Sequence, residues 1–319
     1  MVYLLLVLGF VLLVKGADYF VESTAAIAKL LRISPLLVGL TIVAFGTGAP
    51  EATVSIIAAL EGSAGVTLGN VVGSNIINIA LVVGVTAFLS PLKVTNATIK
   101  KEIPFAFLAC IVLLVLMSDQ YLENTAVNVI TRGDGIIFLL FFAIFLYYVI
   151  EAARNNRSQM EKEITEQPDK RKWGRHILFS TGGLAAIIFG GYLVVESSTE
   201  IAIRFGMSET LVGLTIVAIG SSLPELVISV TAALKKESEI ALGNIVGSSI
   251  FNILFVLGAA SLIIPLPVET KIYFDVIVML ILTIVLFIFS RTECKVGKLE
   301  GLLLVAAYIG YLVYIIIRN

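Results

Sequence analysis

The sequence predicts an all-α polytopic membrane protein, in which ten transmembrane helices form two inverted five-helix repeats. Three observations predict this class: an excess of apolar residues, the spacing of the apolar runs and an internal repeat. Of 319 residues, 58% are apolar and 14% are charged, and the mean hydropathy is +1.02. An ordinary soluble domain is about 25% charged. A chain so poor in charge cannot cover the surface of several water-soluble domains.

Ten apolar runs are separated by polar segments, and a spanning helix needs roughly 20 such residues. The runs lie at 2–24, 35–60, 66–89, 103–118, 134–151, 177–199, 209–234, 239–264, 272–290 and 298–317. One long polar stretch divides them into two groups of five. We therefore assign 1–152 to a first five-helix repeat, 153–175 to a solvated linker and 176–319 to a second repeat.

The basic residues predict an orientation for these spans. Of the 22 Lys and Arg residues, 18 fall on one side of the predicted spans and four on the other. Cytoplasmic loops carry the excess of basic residues, so the linker is predicted to be cytoplasmic and both termini to lie outside. A net charge of −1 without a basic stripe argues against a nucleic-acid partner.

The internal repeat is the most informative feature. Residues 39–84 align without a gap onto 213–258 at an offset of 174, with 24 of 46 pairs identical. GLTIVAFGTGAPE matches GLTIVAIGSSLPE, and LGNVVGSNIIN matches LGNIVGSSIFN. Because five spans is an odd number, the second copy is expected to enter the membrane from the opposite face. Inverted repeats of this kind place an ion site at mid-membrane, where the copies meet.

Two glutamates, Glu51 and Glu225, occupy the same repeat position within apolar spans. A carboxylate at the bilayer centre costs on the order of 2.5 kcal/mol or more, and it usually faces a cavity. Pro50 and Pro224 precede them. Because proline lacks an N–H and clashes with the carbonyl four residues earlier, each helix is expected to break in its glycine-rich segment. Carbonyl groups freed by the break would become available as ligands.

Small hydroxyl and amide side chains surround both predicted breaks. They are Thr47, Ser74, Asn78, Ser221, Ser222, Ser248 and Asn252. With two carboxylates and backbone carbonyls they would form an all-oxygen site, which suits hard cations such as Ca²⁺ and Na⁺. The competing interpretation is that these residues only join neighbouring helices. Asn70 and Asn244 follow a glycine near the start of a span and are interpreted as helix caps.

The segments GTGAPE and GSSLPE, each followed by GN-x-VGS-x-I-x-N, closely resemble the alpha-repeats of prokaryotic sodium/calcium exchangers, within the calcium:cation antiporter superfamily. The resemblance implies a plasma-membrane antiporter that admits Na⁺, expels Ca²⁺, moves net charge and uses no cofactor. It implies Glu51 and Glu225 as central Ca²⁺ ligands, with the carbonyls of Ala44 and Ala218 beside them. The hydroxyl and amide residues above complete the site, and a complete site in one chain permits a functional monomer.

Three comparisons bear on which member of the superfamily the chain resembles. Proton/calcium exchangers resemble GN-x-x-E, whereas this chain has Gly73 and Gly247 there, which favours Na⁺. Potassium-dependent members tend to place Asp where this chain has Asn252. Gly48 stands where many relatives carry Ser, as the second copy does at Ser222. The missing hydroxyl leaves the Na⁺ stoichiometry open.

Two alternatives come from other functional classes. Facing carboxylates could share a proton and activate water in an intramembrane enzyme, although such dyads ordinarily use Asp and need no symmetric hydroxyl and amide ligands. A cation channel is the other alternative, but its carboxylate rings usually come from several identical subunits. We therefore expect an antiporter and no enzymatic activity.

The first spans of the two halves, 2–24 and 177–199, are rich in glycine and carry no ligand candidate at mid-membrane. Small residues allow close helix approach. We predict that these two spans slide together past a fixed four-helix core that holds the ions. The alternative is ordinary packing against lipid.

Overall fold

The structure, a computed structural model, describes residues 2–122, 126–163, 173–206 and 218–318. Within these ranges the chain is helical apart from short connections and four two-residue strands, so the predicted all-α class is confirmed. Among the described residues, seven helices are long and apolar enough to cross a membrane, and a bent pair of shorter helices would make an eighth crossing.

The helices are α1 (Val2–Leu31), α2 (Pro35–Thr47), α3 (Ala49–Leu60), α4 (Ala64–Leu89), α5 (Ile103–Leu116), α6 (Asp119–Leu122), α7 (Arg132–Glu163), α8 (Trp173–Arg204), α9 (Ala218–Ser221), α10 (Leu223–Leu234), α11 (Ser238–Ile263), α12 (Thr270–Arg291) and α13 (Lys298–Arg318). In the described part of the chain, four π-helical turns accompany them: Gly39–Val43 in α2, Ile77–Val82 in α4, Thr98–Glu102 before α5 and Phe251–Val256 in α11. Strand β1 (Leu92–Lys93) pairs with β4 (Lys295–Val296), and β2 (Val129–Ile130) with β3 (Leu266–Pro267), both antiparallel.

The helices agree with most of the predicted spans. Eight of the ten correspond to the seven long helices and to the bent pair α2 and α3. The span predicted at 103–118 corresponds to α5, which has 14 residues and is short for a crossing by itself. The span predicted at 209–234 lies outside the described residues up to 217, and its remainder forms α9 and α10.

Helices α7 and α8 extend into the predicted linker. Helix α7 continues to Glu163, and α8 begins at Trp173. The stretch after the apolar run contains Glu, Lys, Arg, Gln and Met, which are good helix formers. A helix can therefore continue in water beyond the residue where its apolar pattern ends. Residues 164–172 of the linker lie outside the described residues.

The sequence repeat is also a repeat of local structure. Helices α3 and α10 have bounds that differ by the same 174 residues as the sequence alignment, and so do α4 and α11. The π-helical turns Ile77–Val82 and Phe251–Val256 recur at the same offset. π-Helical turns inside α-helices are frequent at functional sites, and these two begin three residues after the repeated serines Ser74 and Ser248.

Helix α2 of the first half and α11 of the second touch through their backbones. A Cβ atom added at Gly39 would lie 2.9 Å from the Cα atom of Gly243, and one added at Gly243 would lie 2.6 Å from the Leu36 carbonyl oxygen. Neither position has room for a side chain, so only glycine permits this approach. The contact brings the first turns of α2 beside the first turns of α11.

Helices α1 and α8 form a second closely packed pair. A Cβ atom added at Gly16 would lie 2.8 Å from the carbonyl oxygen of Gly183, and the reverse distance is also 2.8 Å. Gly9 and Gly190 form the same reciprocal contact, at 2.9 and 2.8 Å. The two helices therefore touch at two levels, seven residues apart on each helix.

An ion pair joins α1 to the end of α10. The Nζ atom of Lys235 lies 3.4 Å from a carboxylate oxygen of Asp18 and donates to the Asp18 carbonyl oxygen at 3.1 Å. Glu22, one turn further along α1, lies 3.7 Å from the same ammonium group. These groups are partly exposed, so the pair contributes little to stability, but it places this end of α1 beside α10.

Candidate cation-binding site

The predicted helix breaks are present in both halves. Helices α2 and α3 meet at Gly48 with a bend of 47°, and α9 and α10 meet at Ser222. Pro50 and Pro224 are the second residues of α3 and α10, where the missing N–H costs no helical hydrogen bond. Each break therefore puts the following glutamate into the first turn of a new helix.

Glu51 and Glu225 are both fully buried, with 0% of their surface exposed. Their four carboxylate oxygens have no hydrogen-bond partner among the described residues, and the two groups repel each other electrostatically. They therefore face one common region. The described residues contain no group of three or more His, Cys, Asp or Glu that could hold a metal ion, so the negative charge here comes from two carboxylates. Buried charges are normally paired, and a cation would pair both.

Four of the predicted neutral ligands are buried without partners as well. Side-chain polar atoms of Asn78, Ser222, Ser248 and Asn252 have no hydrogen bond within the described part of the chain. These residues and the two glutamates account for ten of the seventeen such atoms found there. Buried polar groups in proteins are almost always satisfied. Such a concentration of unpartnered oxygens indicates a site for a ligand that accepts their lone pairs.

Thr47 and Ser74 are also buried, but their hydroxyl groups already donate hydrogen bonds to other protein atoms. The Thr47 hydroxyl lies 3.0 Å from the side-chain oxygen of Asn244 and 3.3 Å from the Ala44 carbonyl oxygen. Ser74 donates to the Asn70 carbonyl oxygen at 2.7 Å. A hydroxyl group that donates its proton keeps lone pairs on the oxygen. Both side chains therefore still offer an oxygen to a cation.

The Thr47 hydroxyl also lies near Glu225 of the other half. Neither Glu225 carboxylate oxygen completes a hydrogen bond with it among the described residues, and the hydroxyl has acceptors at Asn244 and Ala44. The first half thus contributes an oxygen beside the glutamate of the second half, which joins the two copies in one site.

The Ala44 carbonyl lies one turn before the break and keeps a helical partner. This carbonyl accepts the backbone N–H of Gly48 at 2.9 Å in addition to its contact with Thr47. Helical hydrogen bonding continues up to the joint, and the interruption comes after it. Ala218 is the first and Ser221 the last residue of α9. Ligation by these three residues stays a prediction.

Two positioning residues differ from the prediction. Asn70 donates to the backbone carbonyl of Glu51 at 3.2 Å and to the Ser55 hydroxyl at 2.9 Å. In the second copy, Asn244 donates at 3.4 Å to the equivalent glutamate carbonyl and at 3.1 Å to a serine hydroxyl, Ser229. The interpretation as helix caps is wrong, because α4 and α11 each begin six residues earlier. Asn70 matches Asn244 and Ser55 matches Ser229 in the sequence repeat. This identity between the copies could have revealed the positioning residues.

Asn75 is a further buried polar residue, and the sequence did not single it out. It follows Ser74 on α4, is fully buried, and neither of its amide atoms has a hydrogen-bond partner among the described residues. The second copy has Ser249 there, which donates to the Ile245 carbonyl oxygen at 3.0 Å. Because the two copies carry different residues here, the sequence repeat did not point to this position.

Comparison with known proteins identifies the family. The sequence profile of the sodium/calcium exchanger protein family matches residues 1–151 and 175–317. A protein of Alkalimonas amylolytica, provisionally described as the antiporter CaxA, is 40% identical with 95% of each chain covered. The sodium/calcium exchanger MaX1 of Methanosarcina acetivorans is 34% identical, covering 98% of this chain and 97% of its own.

A solved structure of the sodium-calcium exchanger NCX_Mj, soaked with 10 mM Na⁺ and no Ca²⁺, has a TM-score of 0.83 and 31% identity, with 98% of this chain and 99% of that chain covered. A more distant relative, the Ca²⁺/H⁺ antiporter ChaA of Bacillus subtilis, is 26% identical over 94% of this chain. The fold of this chain is therefore that of a solved sodium-calcium exchanger. The chain belongs to the sodium/calcium exchanger protein family, whose members are transporters rather than enzymes.

Proposed function

We propose that this protein is a secondary active antiporter that exchanges Na⁺ for Ca²⁺ across the plasma membrane by alternating access. The observation that carries the proposal is the cluster of unpartnered oxygens around Glu51 and Glu225. Carboxylate, hydroxyl and amide oxygens are the ligands that Ca²⁺ prefers, and softer metals would call for thiolates or imidazoles. The cation/Ca²⁺ antiporters among the relatives support the same class of activity.

The proposed topology has ten spans in two inverted halves, 1–152 and 176–319, with a cytoplasmic linker and both termini outside. The matching bounds of α3 with α10 and of α4 with α11 support two equivalent halves. The basic residues support the orientation. With the halves inverted, Glu51 and Glu225 approach the bilayer centre from opposite faces, as expected for a shared site.

The proposed ligands of the transported cations include every residue predicted above. Glu51 and Glu225 supply the charge, and neutral oxygens come from Thr47, Ser74, Asn78, Ser221, Ser222, Ser248, Asn252 and the carbonyls of Ala44 and Ala218. Six of these side chains are buried with unpartnered atoms in the described part of the chain. The set lies within one chain, so a single copy suffices for transport.

Na⁺ is the proposed counter-ion, in preference to H⁺ or to Na⁺ together with K⁺. Gly73 and Gly247 place no further carboxylate beside the site, and an acid at that point would be suited to carry a proton. Asn252 supplies a neutral oxygen where an aspartate would add charge. MaX1 and NCX_Mj are sodium/calcium exchangers, whereas ChaA is a Ca²⁺/H⁺ antiporter, so the counter-ion needs direct measurement.

Alternating access is proposed to come from α1 and α8. Their reciprocal glycine contacts allow them to move as one unit, and none of the proposed ligands belongs to either helix. We propose that this pair slides along the core formed by α2, α3, α4, α9, α10 and α11, and so opens the site to each face in turn.

Ion flux through purified protein in liposomes tests the function. Vesicles loaded with Na⁺ should take up ⁴⁵Ca²⁺ when the outside lacks Na⁺. This uptake should stop when the Na⁺ concentration is equal on both sides of the membrane. Uptake driven equally well by a pH gradient without Na⁺ would replace Na⁺ by H⁺ in the proposal. Uptake that needs no counter-ion at all would indicate a channel.

A further inference from the structure

The offset of 174 residues that relates the two halves also relates α1 to α8. Several residues of α1 recur unchanged in α8 at this distance: Gly9, Gly16, Glu22 and Ser23 correspond to Gly183, Gly190, Glu196 and Ser197. The glycine contact between Gly9 and Gly190 is thereby the equivalent of the contact between Gly16 and Gly183. The α1–α8 pair is therefore symmetric in its own packing, and it does not by itself distinguish the two ends of the core.

The ends of α3 and α10 are equivalent in position but opposite in charge. Glu61 directly follows the last residue of α3, and Lys235 directly follows the last residue of α10. The two positions differ by the same 174 residues. A lysine at one end of the core thus has a glutamate as its counterpart at the other end.

Lys235 binds α1 through three oxygen atoms. Its ammonium group lies 3.4 Å from a carboxylate oxygen of Asp18 and 3.7 Å from a carboxylate oxygen of Glu22, and it donates a hydrogen bond to the Asp18 carbonyl oxygen at 3.1 Å. Two acidic residues one helical turn apart therefore meet one lysine of the core. This contact fixes the position of α1 along α10.

The other end has no equivalent ion pair. Tyr192 and Glu196 of α8 stand where α1 has Asp18 and Glu22, and the Tyr192 hydroxyl hydrogen-bonds to Glu196 of its own helix. Glu61 forms no ion pair among the described residues. Because Glu61 and Glu196 carry like charges, α8 cannot be held to α3 in the way that α1 is held to α10.

Displacement of α1 along the core weakens the contacts of Lys235 in either direction. A slide of one helical turn, about 5.4 Å, would in one direction leave only Glu22 near Lys235, and in the other it would bring Lys15 to the same ammonium group. A partly exposed ion pair changes an equilibrium constant by up to about fivefold. That is small against unfolding, but it is enough to decide which of two nearly equal positions is the more populated.

We infer that Lys235 is a positioning residue: its ion pair with Asp18 and Glu22 biases the α1–α8 pair towards one of two positions and thereby sets the ratio of the apparent Ca²⁺ affinities at the two faces of the membrane. The inference rests on the proposed exchange by sliding of this pair. A carrier binds at one face only while its site is open to that face, so its apparent affinity there falls with the fraction of molecules in that state. Loss of the ion pair therefore strengthens apparent binding at one face and weakens it at the other.

Right-side-out and inside-out membrane vesicles from the same expressing cells present opposite faces to the medium. The half-maximal Ca²⁺ concentration for ⁴⁵Ca²⁺ uptake into Na⁺-loaded vesicles gives the apparent affinity at each face. In Lys235→Gln the two values should move in opposite directions, and their ratio should change by about two- to fivefold. Lys235→Arg should keep the wild-type ratio. Lys236→Gln is the matched control and should also keep it, because it removes the same charge from an exposed neighbour that forms no ion pair among the described residues.

Transfer of the lysine to the other end of the core extends the test. Glu61→Lys gives α3 the residue that α10 has at Lys235, at the end where α8 carries Glu196. Combined with Lys235→Glu, it should shift the ratio further in the same direction as Lys235→Gln, because it favours the other position. An unchanged ratio in both variants, affinities that weaken together at both faces, or loss of all uptake in Lys235→Gln would overturn the role of Lys235. Wild-type uptake that does not depend on Na⁺ would refute the proposed function instead, and the ratio would still report on Lys235.

Discussion

The hydroxyl of Thr47 lies 3.0 Å from the side-chain oxygen of Asn244, a residue 197 positions further along the chain. Through its amide nitrogen, Asn244 also holds the backbone of Glu225 and the hydroxyl of Ser229. One buried asparagine thus connects the helix break of the first half with the glutamate of the second. The close approach of α2 and α11 at Gly39 and Gly243 brings Thr47 and Asn244 within reach of each other.

Replacement of Asn244 by Ala should therefore affect both halves. It leaves the Thr47 hydroxyl, the Ser229 hydroxyl and a glutamate carbonyl with fewer partners, and each buried unsatisfied group costs about 1–3 kcal/mol. We expect a lower free energy of unfolding and weaker Ca²⁺ binding, measured by thermal unfolding in detergent and by Ca²⁺ titration. Asn70→Ala is the matched control, since Asn70 is only half-buried. An equal or larger loss in Asn70→Ala would contradict the bridging role of Asn244.

Neutralising either glutamate should abolish Ca²⁺ exchange. Glu51→Gln or Glu225→Gln leaves a buried divalent cation with one compensating charge, and loss of one partner from a buried charge pair costs about 3–5 kcal/mol. Ca²⁺ affinity should fall about 100-fold or more, measured by ⁴⁵Ca²⁺ uptake and binding, while gel filtration reports a folded protein. Glu61→Gln, at the exposed end of α3, should exchange normally. Exchange retained in both buried variants would remove these residues from the site.

The glycine contacts between α1 and α8 predict a sharp difference between neighbouring positions. Gly183→Ala would push a methyl group to 2.8 Å from the Gly16 carbonyl oxygen, separating the helices and lowering both the unfolding temperature and the exchange rate. Gly182→Ala meets no atom of the described residues within 4 Å and should be neutral or stabilise the helix by up to about 1 kcal/mol. Thermal unfolding and flux of the two variants provide the measurement. Equal effects would disprove close α1–α8 packing.

Tying α1 to the core should stop transport but not binding. Asp18 on α1 contacts Lys235 at the end of α10, so cysteines at these positions can be joined by a short bifunctional thiol reagent, after replacement of Cys110 and Cys294. If α1 and α8 slide along the core, the linked protein should lose ⁴⁵Ca²⁺ exchange and still bind Ca²⁺. A single-cysteine variant treated in the same way is the control. Full exchange by the linked protein would refute the sliding mechanism.

The sequence predicts the parts of this site that depend on local chemistry and repetition. Glu51 and Glu225 stand out because a charged residue in an apolar span is costly, and the repeat pairs them. The breaks at Gly48 and Ser222 follow from the prolines that come two residues later. The all-helical class follows from composition and from the length of the apolar runs.

Contacts between distant segments could not be predicted in the same way. The Phe251 ring against Gly48 and the Thr47–Asn244 hydrogen bond depend on how α2 meets α11, and a single sequence contains no signal for that packing. The roles of Asn70 and Asn244 were missed because a glycine before an asparagine is also typical of a helix start. The end of α7 was missed because charged helix formers extend a helix beyond its apolar run.

The carboxylate oxygens of Glu51 and Glu225, which have no hydrogen-bond partner among the described residues, also bear on how much Ca²⁺ leaks through the protein. An empty protein that closed around the site would enclose two repelling anions without water or a counter-ion, so this state lies high in energy. The unloaded carrier should therefore rarely reorient, and Ca²⁺ should not escape in one direction only. Efflux of ⁴⁵Ca²⁺ into a medium free of Na⁺ and Ca²⁺ should be far slower than efflux into a medium containing either ion. The two carboxylates that attract Ca²⁺ and Na⁺ thus also prevent the empty protein from leaking Ca²⁺.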